Sequence, residues 1–435
     1  MTPSARLQAA IDILTELERT NAPADRFIRE WFRARRYAGS KDRASVTERV
    51  FAVLRRRSHF AWRMQSEAPR ALAIASVLAE FSSPRVADGG LSSEAAERRR
   101  GIDALFTGEG YGAAVLSDAE RAAIDSPPDA PLPLAVEGEF PAWLEPELQR
   151  SLGDRLLAEM QAMGERAPVD LRVNTLKADR DDVLHDLRTA GLDAEPTRYA
   201  PAGIRLARAE KLSVLSRMEA FENGVFEFQD EAAQIAALLC AAKPGERILD
   251  LAAGAGGKAL ALAAAMQNRG EIIASDIDDV RLAQLAPRAA RAGATIIQSH
   301  VLVGDPPAGP FEAVFVDAPC SGTGTWRRQP EQRWRLTAET LAAFGRTQDL
   351  LLDQAAGTMP GRIVYATCSL LACENEDRIA AFLARHSAFH VSPAAEIWRA
   401  ETGTAPPPGM GDCFAATPLR TATDGFFAAV LKRAE

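Results

Sequence analysis

Two of the five cysteines follow predicted β-strands at the point where each strand ends. Cys320 stands in the turn Asp317-Ala-Pro-Cys-Ser-Gly-Thr-Gly after the apolar segment 313–317, and Cys368 follows the segment 362–367. Ligands of open α/β sheets bind at the carboxyl ends of the strands, so both thiols and Asp317 are predicted to share one edge. A single cysteine is more often a small buried hydrophobe. Two thiols and a carboxylate in such turns favour a catalytic site.

A glycine-rich turn follows another predicted strand, 247–252. It reads Ala252-Ala-Gly-Ala-Gly-Gly-Lys258 and leads into a helix, whose free N–H groups can bind a ligand. Asp276 ends the next strand, 22 residues beyond Gly254, a spacing at which a carboxylate can accept hydrogen bonds from ribose hydroxyls. The pattern predicts an adenosine-type cofactor. It does not separate a dinucleotide from S-adenosylmethionine.

Thiols beside such a cofactor suit covalent catalysis on a pyrimidine base. Carbon 5 of a pyrimidine is a poor nucleophile, but addition of a thiolate to C6 makes C5 enamine-like and able to attack an electrophilic methyl group. A carboxylate such as Asp317 could hydrogen-bond the N3/N4 edge of the ring and stabilise the developing charge. A base must then remove the C5 proton before the thiol leaves, and a second cysteine could take part in that release. This chemistry leaves open which cysteine attacks.

The elements that position these residues form a strand–helix alternation from about residue 230 onward, which predicts a parallel α/β sheet. Before it, the first 80 residues read as helices, and residues 82–141, rich in Gly, Pro and Ser, read as a linker. Residues 141–210 mix a helix over 148–163, a short strand at 171–174 and a helix over 180–190. The predicted strands of the C-terminal part are 247–252, 271–276, 295–298, 313–317, 362–367 and 425–431.

The distribution of charge matters more than its total. The net charge of −8 argues at face value against a nucleic-acid partner. Residues 1–70, however, hold 15 Arg and Lys against 8 Asp and Glu, so this segment carries +7 and the remainder −15. Such asymmetry is typical of polyanion binding, although a solvated arginine-rich surface would look the same. The basic cluster consists of Arg33, Arg35, Arg36, Lys41 and Arg43, followed by Arg55, Arg56 and Arg57.

Composition excludes several classes of protein. No apolar run approaches the roughly 18 residues of a membrane span. The first residues lack the apolar core of a signal peptide, so we expect a cytoplasmic protein. The five cysteines are too scattered for a disulfide scaffold, and none forms a C-x-x-C pair, so no metal site is expected.

These motifs resemble the RNA cytosine-5 methyltransferases of the NOL1/NOP2/Sun family, in particular bacterial small-subunit rRNA enzymes with a NusB-like N-terminal domain. The most specific matches are Asp317-Ala-Pro-Cys-Ser-Gly-Thr-Gly with Arg327-Arg-Gln-Pro, and Tyr365-Ala-Thr-Cys-Ser-Leu with Glu374-Asn-Glu. The segments 41–55, 171–177, 226–231 and 424–427 also fit. The resemblance implies a multi-domain chain: an all-α NusB-like RNA-binding domain (1–130), a small α+β module (140–222) and a Rossmann-like class I methyltransferase domain (223–435).

The resemblance also implies roles for single residues. Cys368 would be the nucleophile that attacks C6, and Cys320 would help to release the product, with Asp317 and Lys258 near the target base. S-adenosylmethionine would be held by the glycine-rich turn and by acidic residues, namely Ala252, Ala253, Gly254, Ala255, Gly256, Gly257, Lys258, Asp276 and Asp317.

The chain departs from the family pattern in two places. The cofactor turn usually reads Cys-Ala-Ala-Pro-Gly-Gly-Lys-Thr, whereas here Ala255 stands at the proline position. A Gly-Asp pair usually follows the third strand, whereas here Ser299-His300 stands there, so we expect His300 to meet the adenine edge.

A base inside a helix cannot reach a buried thiol, so the target base must be flipped out or lie in a single-stranded loop. We expect Arg327 and Arg328 to contact phosphates and Trp334 to stack on a base, while Arg43 of the basic N-terminal segment adds backbone contacts.

Three alternative functions remain: a transfer RNA methyltransferase, a non-catalytic rRNA-binding assembly factor with a methyltransferase fold, and an NAD-dependent oxidoreductase. For Arg327, Arg328 and Trp334, the alternative is an exposed loop whose arginines are incidental. The resemblance favours a monomer.

Overall fold

The computed structural model describes residues 1–35, 37–82, 99–206 and 212–434. Arg36 of the basic cluster and residues 83–98 of the predicted linker lie outside these described residues. The chain forms two compact units. The first unit comprises Met1–Glu145, Leu156–Gly164 and Trp326–Arg335, and the second comprises Pro146–Arg155, Glu165–Thr325 and Leu336–Glu435. Each unit therefore combines segments that are distant in sequence, and the predicted domain boundaries stay predictions.

The first unit contains only helices in its described part, as the all-α prediction requires. They are α1 Pro3–Leu17, α2 Ala24–Arg33, α3 Ser40–Arg55, α4 Arg57–Met64, α5 Pro69–Ser82, α6 Asp118–Asp125, α7 Leu134–Glu137, α9 Leu156–Gly164 and α17 Gln332–Arg335. At the start of α1, the Thr2 hydroxyl accepts the N–H of Ala5 at 3.2 Å. Helices α1, α3 and α5 share a core with Leu7, Ile13 and Val50 at its centre. The likeness to NusB stays a prediction.

The described part of the predicted linker belongs to this core instead of connecting two domains. Helix α6 begins with a capping box, in which the Ser117 hydroxyl accepts the Glu120 N–H at 3.2 Å and the Glu120 carboxylate accepts the Ser117 N–H at 2.9 Å. Arg70 donates to the same carboxylate at 2.6 Å, and Phe106 and Leu116 are buried in the core of the unit. The linker prediction is therefore wrong for residues 99–141, because glycines and prolines there form turns between packed helices.

The second unit begins with a four-stranded antiparallel sheet in the order β2–β3–β1–β4. Its strands are β1 Val169–Val173, β2 Ala194–Pro196, β3 Gly203–Leu206 and β4 Phe226–Phe228. The helices of this part are α8 Glu145–Leu152, α10 Arg180–Thr189, α11 Leu212–Leu215 and α12 Glu219–Glu222. The single helix predicted over 148–163 is wrong: it is two helices, α8 and α9, because Gly153 adopts a φ of +58° that a helix cannot contain.

The larger sheet of the second unit has eight strands. They are β5 Arg247–Leu251, β6 Glu271–Asp276, β7 Ile297–Val301, β8 Ala313–Asp317, β9 Arg362–Thr367, β10 Phe389–Ser392, β11 Phe414–Ala416 and β12 Phe426–Arg433. The helices around it are α13 Glu231–Leu238, α14 Gly257–Ala265, α15 Asp279–Leu282, α16 Leu285–Ala292, α18 Ala338–Gly357, α19 Glu376–Arg385, α20 Ala394–Thr402 and α21 Pro418–Thr421. Across the described ranges, no helix is long and apolar enough to cross a membrane.

The strand order is β7–β6–β5–β8–β9–β12–β10, with β11 paired to β12. Strands β5 to β9 are parallel, which confirms the Rossmann-like prediction, and β12 returns antiparallel beside β9. The chain direction across the sheet reverses at β5, since β6 lies on one side and β8 on the other. A crevice at the carboxyl end of β5 is the position where such sheets bind ligands.

One predicted strand is shifted. Strand β7 covers Ile297–Val301 and not 295–298, because it is an exposed edge strand whose polar residues lack a hydrophobic signal. This shift matters for His300, which pairs with Ser275 inside the strand and does not follow its end.

Candidate active site

The structure brings the two cysteines into contact. Strands β8 and β9 are adjacent and parallel, and the Ala318 N–H donates to the Ala366 carbonyl at 2.9 Å just beyond their last pair. Further along, the Gly324 N–H donates to the Cys368 carbonyl at 2.9 Å, which joins the two turns. The sulfur atoms of Cys320 and Cys368 are 3.4 Å apart as a result. Both thiols are free and partly buried.

The contact changes the acidity of the Cys320 thiol. The hydrogen bond with Cys368 and the burial of the Cys320 side chain raise the pKa of Cys320 well above its usual range. Cys320 is therefore a protonated thiol at neutral pH, and its S–H can donate to the Cys368 sulfur.

A lysine–carboxylate pair lies at the carboxyl end of β8. Lys258, in the first turn of α14, donates to Asp317 at 2.9 Å; its side chain is 7% exposed and that of Asp317 is 36% exposed. The ammonium nitrogen also lies 5.0 Å from the centroid of the Phe426 ring. Burial against an aromatic ring and a carboxylate fixes both charged groups, while Asp317 keeps one face open to a ligand.

The turn between β5 and α14 is tightly built. Ala252 has a φ of +80°, a strained value for a residue with a side chain, and Gly254 and Gly256 also have positive φ. A Cβ at Gly256 would lie 2.1 Å from Leu285 Cδ1, so only glycine fits there. The Asp276 carboxylate accepts the Gly254 N–H at 2.7 Å and the Asp278 N–H at 2.8 Å. Asp276 therefore holds the turn.

A buried acid that the sequence analysis missed lies under this turn. Asp250, in β5, is fully buried, and neither of its carboxylate oxygens has a hydrogen-bond partner of good geometry among the described residues, although the nearby Ala259 N–H partly offsets the burial. Burial, together with repulsion from Asp317, raises the pKa of Asp250 to about 7. An acidic residue inside an otherwise apolar strand was the sequence signal for it.

These residues fit S-adenosylmethionine. A positively charged amino-acid portion would satisfy the orphaned oxygens of Asp250, and the glycine turn leaves space for a close backbone approach. The described residues contain no group of three metal-ligating side chains that could hold an ion.

Two further arginines hold the cofactor turn and were also missed. Arg172 of β1 donates to the Gly257 carbonyl at 2.8 Å and to Gln229 at 2.6 Å, and burial lowers the pKa of Arg172 to about 10. Arg288 of α16 donates to the Ala255 carbonyl at 2.6 Å and to Glu227 at 2.9 Å. At Ala255, which replaces the usual proline, a hydrogen bond from the Arg288 side chain therefore holds the backbone that a proline ring would otherwise restrict.

The remaining predicted residues lie elsewhere. His300 is exposed, and its pairing with Ser275 puts it on the opposite face of the sheet from Asp276. Arg327, Arg328 and Trp334 belong to the first unit, whereas both thiols belong to the second. Arg327 is buried, and Trp334 lines a cavity of about 530 Å³ in the first unit.

Arg43 also lies in the first unit. It donates to the Ala38 carbonyl at 2.8 Å and lies over the Phe32 ring. The RNA contacts predicted for these four residues stay predictions.

Comparison with known proteins agrees with this geometry. Residues 237–432 match the family model described as 16S rRNA methyltransferase RsmB/F, and residues 140–213 match an RsmF/B-like, ferredoxin-like domain. A ribosomal RNA small subunit methyltransferase B of Sodalis glossinidius is 34% identical over 72% of this chain and 67% of its own. The Pseudomonas syringae protein of the same name is 34% identical over 63% of this chain, and the match spans 61% of its length.

Solved structures share the fold. A crystal structure titled PH0851 superposes over 100% of this chain and 99% of its own, with a TM-score of 0.76 and 24% identity. NSun6 from Pyrococcus horikoshii, solved with SFG, covers 68% of this chain and 99% of its own, with a TM-score of 0.58 and 21% identity. At these identities the two structures support the fold alone. The sequence matches go further: the chain belongs to the 16S rRNA methyltransferase RsmB/F family.

Proposed function

We propose that this protein transfers a methyl group from S-adenosylmethionine to C5 of a cytosine in small-subunit ribosomal RNA, through a covalent bond between Cys368 and C6. The observation that carries the proposal is the 3.4 Å contact between the sulfur atoms of Cys320 and Cys368 beside the Lys258–Asp317 pair. The names of the matched relatives support small-subunit rRNA as the substrate over transfer RNA. S-adenosylmethionine, predicted from the sequence, is the cofactor of this methyltransferase family.

In the first step, the Cys368 thiolate forms a bond to C6, and the electrons of the C5–C6 double bond move toward C5 and the N3–C4 edge. Asp317 is placed to hydrogen-bond that edge, while Lys258 holds the carboxylate in position. Cys320 keeps its proton and donates to the attacking sulfur. The bound cofactor supplies an electrophilic methyl group, which C5 takes up.

In the second step, a base removes the C5 proton, the C5–C6 double bond re-forms, and the bond from C6 to Cys368 breaks. Cys320 is adjacent to the departing sulfur, since its own sulfur is 3.4 Å away. The raised pKa keeps the Cys320 thiol protonated, so its S–H can donate to the Cys368 sulfur as that sulfur leaves C6 as a thiolate, which suits a role in release. The adduct should therefore accumulate when Cys320 is removed.

RNA that carries 5-fluorocytosine at the target tests this function, because fluorine cannot leave as a proton. With S-adenosylmethionine present, we expect a protein–RNA adduct that survives denaturation in the wild type and in Cys320→Ala, and no adduct in Cys368→Ala. With ordinary cytosine, Cys320→Ala should accumulate the adduct. Cys413→Ser, at a partly buried cysteine directly before β11, is the matched control.

Two outcomes would contradict the proposal. An adduct that persists in Cys368→Ala but disappears in Cys320→Ala would reverse the two roles. RNA binding without any adduct or methyl transfer in the wild type would favour the assembly-factor alternative.

A further inference from the structure

A carboxylate lies beneath both catalytic turns and joins them. Glu374 is fully buried, six residues after Cys368. One of its oxygens accepts the Ser321 N–H at 2.9 Å and the Gln348 amide at 3.1 Å. The other oxygen accepts the hydroxyls of Ser321 and Ser369, both at 2.5 Å. Four donors from three separate segments therefore converge on this side chain.

The donors on the two turns directly follow the reacting groups. Ser321 is the residue after Cys320, and Ser369 is the residue after Cys368. The third donor, Gln348 of α18, also donates to the Pro319 carbonyl at 3.0 Å, on the other side of Cys320. Glu374 thus holds the backbone around Cys320 from both sides and binds the turn of Cys368 at the same time.

Two of the four partners, the Ser321 N–H and the Gln348 amide, can only donate, so the oxygen they share must be an acceptor. A carboxylate accepts hydrogen bonds at both oxygens and donates none, so it can accept all four at once. A glutamine has the same shape and keeps one acceptor oxygen for the N–H donors, but its NH₂ group can only donate to the two hydroxyls, which must then turn their own protons to other partners. Burying such a side chain is costly unless it is well hydrogen-bonded, and the bonds that offset this cost at Glu374 all go to the two thiol turns and to Gln348.

We propose that Glu374 is a positioning residue that sets the separation of the two thiols, and so the rate of both covalent steps; the reaction itself rests on the function proposed above. Its side-chain hydrogen bonds go to Ser321, Gln348 and Ser369, through which it acts on the two turns. Beyond the Cys368 hydrogen bond and burial, its proximity also raises the pKa of the Cys320 thiol.

The first experiment measures the thiol contact without any methyl transfer. Cys240, Cys373 and Cys413 are replaced by Ala, Ser and Ser, and the full chain is treated with diamide, which takes up the two electrons and two protons lost when the Cys320–Cys368 disulfide forms. We expect Glu374→Gln to slow disulfide formation by at least about tenfold, because orientation controls reactions between neighbouring groups. Glu339→Gln, at an exposed carboxylate in the first turn of α18, is the matched control and should react as the parent does.

The second experiment measures catalysis with all cysteines restored. We expect Glu374→Gln to lower kcat about 100-fold, as misplacement by about 1 Å can do, with KM for RNA and for the cofactor changed less than about twofold. Ser369→Ala and Ser321→Ala each remove one hydroxyl and leave the carboxylate in place. They should show smaller losses in the same two measurements, and they keep the test valid if Glu374→Gln does not fold.

The outcomes separate the two proposals. A fall in kcat with an unchanged rate of disulfide formation in all three variants would overturn the positioning role, as would wild-type turnover by Glu374→Gln. If the wild type does not methylate RNA but the disulfide rates change as expected, the proposed function fails while the positioning of the thiols by Glu374 stands.

Discussion

Asp250 illustrates at the scale of one residue how a binding site reduces stability. Its carboxyl is fully buried with no hydrogen-bond partner of good geometry among the described residues, and its pKa is about 7 instead of 3.8. Between pH 4 and pH 7 the unfolded chain loses this proton and the folded chain keeps it, so the free energy of unfolding falls as the pH rises through this range. Above pH 7 the penalty is constant, at about 4 kcal/mol.

Replacement of this acid therefore has opposite effects on stability and binding. Without cofactor, we expect Asp250→Asn to be more stable than the wild type, and this difference in the free energy of unfolding should grow by about 3 kcal/mol from pH 5 to pH 8. Calorimetry should show S-adenosylmethionine binding weakened at least about tenfold, a loss of about 1.4 kcal/mol, because a charged hydrogen-bond acceptor is lost. Asp305→Asn, at an exposed carboxyl, is the control. A stability difference that does not change with pH would contradict this account.

At the scale of elements, α17 has an unexpected place. It follows the Cys320 turn in sequence, yet it belongs to the first unit. Arg333, in α17, is fully buried and donates to the carbonyls of Glu139 and Met163 at 3.0 and 2.8 Å. Glu331 accepts the Ala24 N–H at 2.9 Å. Residues 326–335 therefore belong to the first unit, whereas the residues on either side of them belong to the second.

Removal of this anchor should destabilise the first unit. We expect Arg333→Ala to lower the free energy of unfolding by about 3 kcal/mol, because two buried carbonyls lose their donors. Arg333→Lys should restore only part of it, since a lysine lacks the planar group that reaches both acceptors. Urea unfolding measures both variants, with the exposed Arg33→Ala as the control. A loss below about 0.5 kcal/mol, typical of surface positions, would show that the anchor is not needed.

The elements also show which sequence patterns were reliable. The bounds of β6, β8 and β9 agree with prediction because buried parallel strands are continuous apolar runs. Strand β7 was misplaced because it is exposed and polar, which also moved His300 from the end of a strand to its interior. The segment 99–141 was misread because glycine and proline mark turns and do not tell whether the turns are packed.

At the scale of the whole molecule, charge is divided between segments. The first 70 residues carry +7 and the rest −15, and Arg33, Lys41 and Arg56 are exposed in the first unit. If the first unit contacts the RNA backbone, binding should release counterions in proportion to the phosphates that these side chains neutralise.

The salt dependence of RNA binding tests this division. We expect the triple variant Arg33→Ala, Lys41→Ala, Arg56→Ala to reduce the slope of log K against log salt by about 2, at about 0.7 per contact on single-stranded RNA. The matched control removes three exposed cations of the second unit, Arg269, Arg399 and Lys432. An equal change of slope in both triple variants would mean that binding follows total charge and not the basic segment.

The sequence by itself determined the local chemistry: two cysteines and Asp317 at strand ends, the glycine turn with Asp276, and the family. Strand ends and turns depend on neighbours in the chain, so their patterns can be read in one dimension. Only the tertiary structure decided that Asp250 lacks a hydrogen-bond partner of good geometry, that Glu374 joins two turns and that Arg333 anchors α17 in the first unit. Each of these depends on which buried polar groups meet across long sequence distances, and packing alone determines that.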